Sequence, residues 1–175
     1  DTLIFEDLAD MLNIDMEALY YRGFLDNNVH GTKVFGVEND HYICAGVMLI
    51  NLEKLRQDNM EAKFEAFIKE NNERLVQHDQ TVINVLCHKN IGALPPKYGV
   101  FSFSDENTAK LFEHELPPWN RYTDKEIVKA YRKPAILHCV KKPWDNPSWS
   151  RADLWWDYAE KTGYLAEIKA KYQIS

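Results

Sequence analysis

The chain has 175 residues, of which 45% are hydrophobic and 13% aromatic, and its 27 acidic and 21 basic residues give a net charge of −6. This composition suits one globular domain and argues against bulk nucleic acid or an anionic membrane as the main partner. The three cysteines are far apart, so neither a disulfide framework nor a zinc motif is indicated. We expect a single domain over residues 1–175, with reduced cysteines, no transmembrane segment and a cytoplasmic location.

The first half of the chain alternates between strand and helix patterns. Residues 1–5 read as the end of a buried strand, so we expect the chain to begin inside a longer protein. Apolar residues at helical spacing follow over 8–12, and the best strand is the apolar run Ile43–Ile50. Two amphipathic helices are predicted next, over 52–57 and 60–68.

The region after these helices carries clear boundary signals. A helix is predicted over 79–89, with Asp79 in its first turn, where a carboxylate stabilises the positive end of the helix dipole. A short strand follows over 91–94. Thr123 and Glu126 then form a capping box ahead of a further helix.

The C-terminal region completes the pattern with a strand over 135–140 and a helical segment over 152–172, which we expect to break at Gly163. Because strands and helices alternate along the chain, the sequence predicts an α/β fold, a mixed sheet flanked by helices.

Two predicted strand ends carry side chains that suit a divalent cation. Asp1 stands at the first and His138 at the second. Open α/β sheets bind ligands at strand ends, and a carboxylate with an imidazole suits Mn²⁺. A lone histidine is more often an ordinary core residue, so this pair alone does not establish a metal site.

A basic and aromatic segment follows His138. Lys141 and Lys142 precede Pro143 and Trp144, and their amines could contact phosphate oxygens. An ordinary basic surface loop is the alternative. For most of the neighbouring tryptophans, Trp149, Trp155 and Trp156, packing is favoured over sugar binding.

The triplet His78, Asp79 and Gln80 begins a predicted helix. Its carboxylate and amide could bind sugar hydroxyls, although a helix cap explains the same residues. From the residues alone, the sequence supports an α/β domain with a candidate metal and phosphate site.

The order of these motifs resembles glycosyltransferase family 8, the family of glycogenin and of bacterial lipopolysaccharide galactosyl- and glucosyltransferases. The resemblance covers nearly the whole chain. It rests on Asp1, on the runs at 42–52, 79–84 and 94–98, and on His138 with Lys142-Pro143-Trp144.

The resemblance implies the A-type fold of nucleotide-sugar glycosyltransferases, with this chain as the C-terminal part of the catalytic domain and the nucleotide-binding half upstream. It also implies a retaining transferase that moves a hexose from a UDP-sugar to a glycan, glycolipid or protein acceptor with Mn²⁺. A lipid-linked acceptor would place the enzyme at the cytosolic membrane surface.

The resemblance also implies roles for single residues. Asp1 and His138 match metal ligands, and Lys142 matches the lysine at the donor diphosphate. Asp79 matches a residue that binds the donor sugar, and Gln80 one that lies near the anomeric carbon. The remaining donor-site matches are two small residues that let the sugar approach, Ala45 and Gly46.

Two departures from the family pattern keep other functions open. Cys44 stands where many members have asparagine, and the loop from His138 to Lys142 is short. The short loop favours a catalytically inactive glycan-binding or structural module as one alternative. A metal-dependent nucleotide-sugar hydrolase is the other, because a bound metal can also activate water.

Overall fold

The computed structural model describes residues 1–26, 30–37, 41–102, 105–116, 121–140, 142–145 and 150–173. Its strands are β1 (Thr2–Ile4), β2 (Tyr21–Leu25), β3 (Ile43–Ile50), β4 (Ile91–Ala93), β5 (Val100–Phe101) and β6 (Ile136–His138). Its helices are α1 (Ala9–Leu12), α2 (His30–Lys33), α3 (Leu52–Gln57), α4 (Met60–Asn71), α5 (His78–Leu86), α6 (Glu106–His114), α7 (Asp124–Arg132), α8 (Ala152–Lys161) and α9 (Leu165–Tyr172).

The strands form two mixed sheets, ordered β3-β2-β4 and β1-β6-β5. In the first, β2 is antiparallel to β3 and parallel to β4; in the second, β6 is antiparallel to β1 and parallel to β5. Helices pack against both sheets, with α5 on β3 and α7 on the turn before β5. The predicted α/β class is confirmed. Within the described residues, no helix is long and apolar enough to cross a membrane.

The structure confirms the predicted boundaries of several elements. Strand β3 and helix α3 have the predicted bounds. The Thr123 side chain accepts from the Glu126 N–H while the Glu126 carboxylate accepts from the Thr123 N–H, so the capping box at the start of α7 is present. Gly163 separates α8 from α9 with a φ of 77°, a left-handed conformation that glycine adopts without steric cost.

The interpretation of Asp1 as the end of a strand is wrong. Asp1 comes immediately before β1, which begins at Thr2. Because β1 is antiparallel to β6, the start of β1 lies beside the end of β6, and Thr2 is opposite His138. Asp1 therefore lies at the same end of the sheet as His138, because the N-terminal end of β1 is beside the C-terminal end of β6.

The pairing of β2 with β3 is interrupted where β3 passes α5. The register pairs Gly23 with Met48 but Leu25 with Ile43, so β3 contains extra residues between the paired positions. Bulges of this kind bend a strand and redirect its side chains. On the side of β3 away from β2, the Asn84 carboxamide accepts from the Ile43 N–H at 2.9 Å and donates to the Ile43 carbonyl at 2.8 Å.

Strands β2 and β4 are joined at their C-terminal ends by one buried side chain. The Tyr122 hydroxyl accepts from the Leu25 N–H at 3.1 Å and donates to the Leu94 carbonyl at 2.7 Å. Both backbone groups are buried and would otherwise need another partner. Tyr122 thus bridges β2 and β4 just beyond their last backbone pair, Gly23 with Ala93.

We predict that Tyr122→Phe lowers the free energy of unfolding by about 1–3 kcal/mol, because it leaves the Leu25 N–H and Leu94 carbonyl without their hydroxyl partner. Chemical denaturation of the purified protein measures this. Tyr164→Phe is the matched control, since Tyr164 is 61% exposed, and it should change the value by less than about 0.5 kcal/mol. Equal effects of the two substitutions would contradict the role given to Tyr122.

Candidate functional site

Three residues singled out in the sequence meet at one edge of the second sheet. The Cys139 N–H donates to the Asp1 carbonyl at 2.7 Å, continuing the pairing of β1 and β6 beyond the strands. Asp1 Oδ2 lies 2.9 Å from Lys142 Nζ and 3.9 Å from His138 Nε2. A carboxylate, an ammonium and an imidazole, distant in sequence, therefore share one location.

His138 is held as a neutral imidazole. Its side chain is buried, and burial together with the charge of Lys142 lowers its pKa to about 4. A neutral ring keeps a nitrogen lone pair available to a metal ion at physiological pH. The Phe101 ring lies 5.7 Å from the His138 ring, between centroids, and adds to the apolar surroundings that exclude the protonated form.

Position 46 has no room for a side chain, because the His138 ring packs directly against the Gly46 backbone. A Cβ placed on Gly46 would lie 2.6 Å from His138 Nδ1 and 2.8 Å from Nε2, too close for any side chain. The first sheet thereby contacts the second at the site, through β3 and β6. Sequence reasoning linked Gly46 to the approach of a sugar; the structure gives it a second reason to be glycine.

Ala45 lies in the interrupted stretch of β3 and contacts Gln80. The Ala45 N–H donates to Gln80 Oε1 at 2.9 Å. Gln80 Nε2 lies within hydrogen-bonding distance of Asp26 Oδ2, at 3.3 Å, and of the Tyr42 hydroxyl, at 3.2 Å. The Gln80 carboxamide is thus held between α5, the bulge of β3 and the end of β2. The Asn84 contact with Ile43 fixes the same helix one turn later.

Asp26 is the residue of this site that sequence reasoning missed. It follows β2 directly, and its N–H donates to the Tyr42 carbonyl at 2.9 Å. The available signal was a carboxylate at the C-terminal end of a strand. That strand was not predicted, because Arg22 and Gly23 interrupt its apolar pattern.

Asp79 and Gln80 project from neighbouring faces of α5. The Asp79 side chain is exposed, and its Oδ1 accepts from the Gln80 N–H at 2.9 Å. Asp79 also lines a cavity of about 400 Å³ beside α4. His78, which precedes it with a φ of 47°, lines the same cavity. The predicted pair is therefore adjacent in space but does not present both side chains to one surface.

Cys44 is a buried neutral thiol in β3. Burial raises its pKa to about 11, and its Sγ accepts from the Gly46 N–H at 3.4 Å. The other cysteines, Cys87 and Cys139, are also free and buried. None of the three pairs in a disulfide, as the sequence predicts.

The aromatic residues near the site pack against one another. The Trp144 ring lies 5.0 Å from that of Trp155 and 4.8 Å from that of Tyr172, and Trp155 contacts Trp156. This arrangement agrees with the packing role. Lys141 of the predicted basic segment and the neighbouring Trp149 lie outside the described residues.

The donor set at this edge fits part of a metal site. Asp1 supplies a carboxylate oxygen and His138 an imidazole nitrogen, 3.9 Å apart, and both atom types bind Mn²⁺ and similar ions. Among the residues that the structure describes, no group of three or more histidine, cysteine, aspartate and glutamate side chains is placed to hold a metal. The described residues thus offer two ligands.

Comparison with known proteins identifies the family. Residues 1–148 match the pattern described as Glycosyl transferase family 8, and the chain belongs to this family. A provisionally named glycosyltransferase of Haemophilus influenzae is 26% identical over 97% of this chain and 54% of its own. This chain therefore spans about half the length of that relative.

Solved structures show the same fold at low sequence identity. The apo structure of the bifunctional glycosyltransferase WbbM has a TM-score of 0.74 at 20% identity, over 95% of this chain and 32% of its own. The galactosyltransferase LgtC, in complex with donor and acceptor sugar analogues, has a TM-score of 0.70 at 19% identity, over 92% of this chain and 58% of its own. The expected A-type glycosyltransferase fold is confirmed.

We predict that Gly46→Ala lowers the free energy of unfolding by about 1–3 kcal/mol, because the added methyl overlaps the His138 ring. In a His138→Ala background the same substitution should cost less than about 0.5 kcal/mol, since the overlapping ring is gone. Denaturant unfolding of the four proteins of this cycle measures the coupling. Equal costs in both backgrounds would show that Gly46 is needed for another reason.

Proposed function

We propose that the protein is a retaining hexosyltransferase that transfers a sugar from a UDP-sugar to an acceptor hydroxyl with the assistance of Mn²⁺. The observation that carries the proposal is the convergence of Asp1, His138 and Lys142 within 4 Å at one sheet edge. Membership of glycosyltransferase family 8 supports it. So does the likeness to LgtC, whose structure contains donor and acceptor sugar analogues.

In this proposal, Lys142 binds the donor diphosphate. Its ammonium already contacts a carboxylate at 2.9 Å, so it lies in a position where it balances negative charge. As the bond between the sugar and the diphosphate breaks, charge accumulates on the diphosphate oxygens, and a fixed ammonium stabilises it. Since Asp1 is also a proposed metal ligand, the ammonium would exchange this carboxylate for the diphosphate when the donor binds.

Asp1 and His138 are the proposed metal ligands. A divalent ion held by these two side chains would supply positive charge that stabilises the departing diphosphate. His138 remains neutral because burial keeps its pKa at about 4. The Gly46 backbone packs directly against the imidazole ring.

The sugar is proposed to lie beside Ala45, where Gln80 and Asp26 meet. Gln80 has its amide oxygen bound by the Ala45 N–H, which holds the side chain near the anomeric carbon. The Asp26 carboxylate, which accepts from Gln80 Nε2, is proposed to bind sugar hydroxyls there. Asp79 lies on a neighbouring face of α5, and its role in binding the donor sugar stays a prediction.

The reaction proposed is attack by the acceptor hydroxyl on the face from which the diphosphate leaves. The bond from the anomeric carbon to the diphosphate oxygen breaks, a new bond to the acceptor oxygen forms, and the acceptor proton passes to the departing oxygen. Configuration is retained without a covalent enzyme intermediate. Gln80 is an amide and a poor nucleophile, and Asp79 lies on a neighbouring face of the helix. Asp26 is the carboxylate beside Gln80, so it is included in the test for a covalent adduct.

We predict that the intact protein turns over one UDP-sugar in the presence of Mn²⁺, and that chelation abolishes the activity. His138→Ala and Lys142→Ala should each lower turnover at least about a hundredfold, because the first removes a proposed metal ligand and the second a positive charge at the diphosphate. UDP release from UDP-glucose, UDP-galactose and UDP-N-acetylglucosamine measures this. Lys125→Ala, which removes an exposed charge from α7, is the matched control and should retain activity.

Other outcomes would identify a different function. Release of free sugar that is unaffected by any acceptor would support a nucleotide-sugar hydrolase. Absence of turnover together with absence of Mn²⁺-dependent UDP binding would support an inactive glycan-binding module. Equal loss in the Lys125→Ala protein would mean that the assay reports stability and not the site.

We also predict that no sugar becomes covalently attached to the protein during turnover. Mass spectrometry of the protein quenched with donor present should show the unmodified mass, because attack on the leaving-group side forms no adduct. Asp79→Asn and Gln80→Ala should slow the reaction without trapping an intermediate. A hexose adduct on Asp26, Asp79 or Gln80 would overturn the proposed mechanism and favour double displacement.

A further inference from the structure

The last two helices lie beyond the residues that match the family. The match ends at residue 148, whereas α8 begins at Ala152. Helices α8 and α9 nevertheless contact both of the chain segments that form the site. They reach the Lys142 loop through one set of aromatic residues and β1 through another.

Trp144 connects α8 and α9 to Lys142. It lies two residues after Lys142, and its ring is stacked on Tyr172 at 4.8 Å and makes an edge contact with Trp155 at 5.0 Å. Trp155 is supported in turn by Trp156 at 4.9 Å. Aromatic pairs at these separations contribute beyond their buried area. The described segment 142–145 is therefore contacted through Trp144 by residues from both helices.

Tyr158 connects α8 to β1. Its ring makes an edge contact with Phe5 at 5.6 Å, and its hydroxyl donates to the Ile4 carbonyl at 3.3 Å. Tyr158 and Trp155 are three residues apart, so they project from the same face of α8. One helix face thus contacts both the C-terminal end of β1, the strand that follows Asp1, and Trp144, close to Lys142.

Arg151 fixes the start of α8. Its Nη2 donates to the Tyr131 carbonyl near the end of α7, and its guanidinium lies 5.5 Å from the Tyr131 ring centre. Burial lowers the pKa of this guanidinium. Helix α7 packs on the turn before β5. The Arg151 contact with α7 therefore anchors the start of α8, whose aromatic residues contact Trp144 and β1.

We propose that α8 and α9 act as a clamp that positions the segment carrying Lys142 beside Asp1, with Trp144, Trp155 and Tyr158 as positioning residues for binding of the donor diphosphate. The clamp rests on the proposed role of Lys142. It acts by fixing a flexible side chain and its loop before the donor binds, which lowers the ordering cost of each phosphate contact. Its effect is therefore specific to phosphate and not to the nucleoside.

The test compares UDP with uridine, both with Mn²⁺, in calorimetric titrations of the intact protein. Trp155→Ala should weaken UDP binding about tenfold, the size expected for one charge-assisted contact, and should leave uridine binding unchanged. Trp155→Phe should restore most of the affinity, because a ring still contacts Trp144. Tyr164→Ala removes an exposed aromatic ring between the same helices and should have no effect.

A double-mutant cycle identifies the route of the effect. If the clamp acts through Lys142, adding Trp155→Ala to Lys142→Ala should cause no further loss of UDP affinity. Additive losses, or parallel losses for UDP and uridine, would overturn the clamp while leaving the proposed function intact. No effect of Lys142→Ala on UDP binding would overturn both. Tyr172→Ala, at the more exposed end of the cluster, replaces Trp155→Ala in the cycle if the latter does not fold.

Discussion

The antiparallel pairing of β1 with β6 is the constraint on which the site depends. It joins residues from opposite ends of the chain and sets Thr2 opposite His138. A shift of this register by one residue would turn every side chain of β1 to the other face. The Asp1 carbonyl, bound by the Cys139 N–H, extends the pairing to the edge where the charged groups lie. Accurate placement of a carboxylate beside an imidazole is thus a property of backbone hydrogen bonds.

Close contact between backbone and ring then links the two sheets. The His138 ring lies against the Gly46 backbone, and β3 is bulged where Ala45 contacts Gln80. Asp1 and Lys142 lie at the sheet formed by β1, β6 and β5. The Gln80 amide and the Asp26 carboxylate lie at the other sheet. The two sheets meet where the His138 ring lies against the Gly46 backbone. The charged groups at one sheet and the polar groups at the other correspond to the two parts of a nucleotide-sugar donor, its charged diphosphate and its polar sugar.

Local signals in the sequence predicted the elements that depend on local chemistry. The apolar run of β3, the capping box of α7 and the break at Gly163 are each determined by a few adjacent residues. Strand β2 was missed because its central position in the sheet tolerates Arg22 and Gly23, which weaken the pattern. The direction of β1 could not be read either, since pairing partners come from distant sequence. Residue chemistry alone gave the candidates Asp1, His138, Lys142, Asp79 and Gln80. The family resemblance supplied their roles and added Ala45 and Gly46, and Asp26 was missed with its strand.

The carboxamides of α5 have a further consequence for the behaviour of the sheet. Asn84 occupies both outward backbone groups of Ile43, and Gln80 occupies the N–H of Ala45. Side chains thereby take the place of a neighbouring strand at the start of β3. An approaching strand from another molecule finds no free donor or acceptor on those groups. The helix that shapes the candidate sugar site thus also protects this edge from intermolecular sheet growth and aggregation.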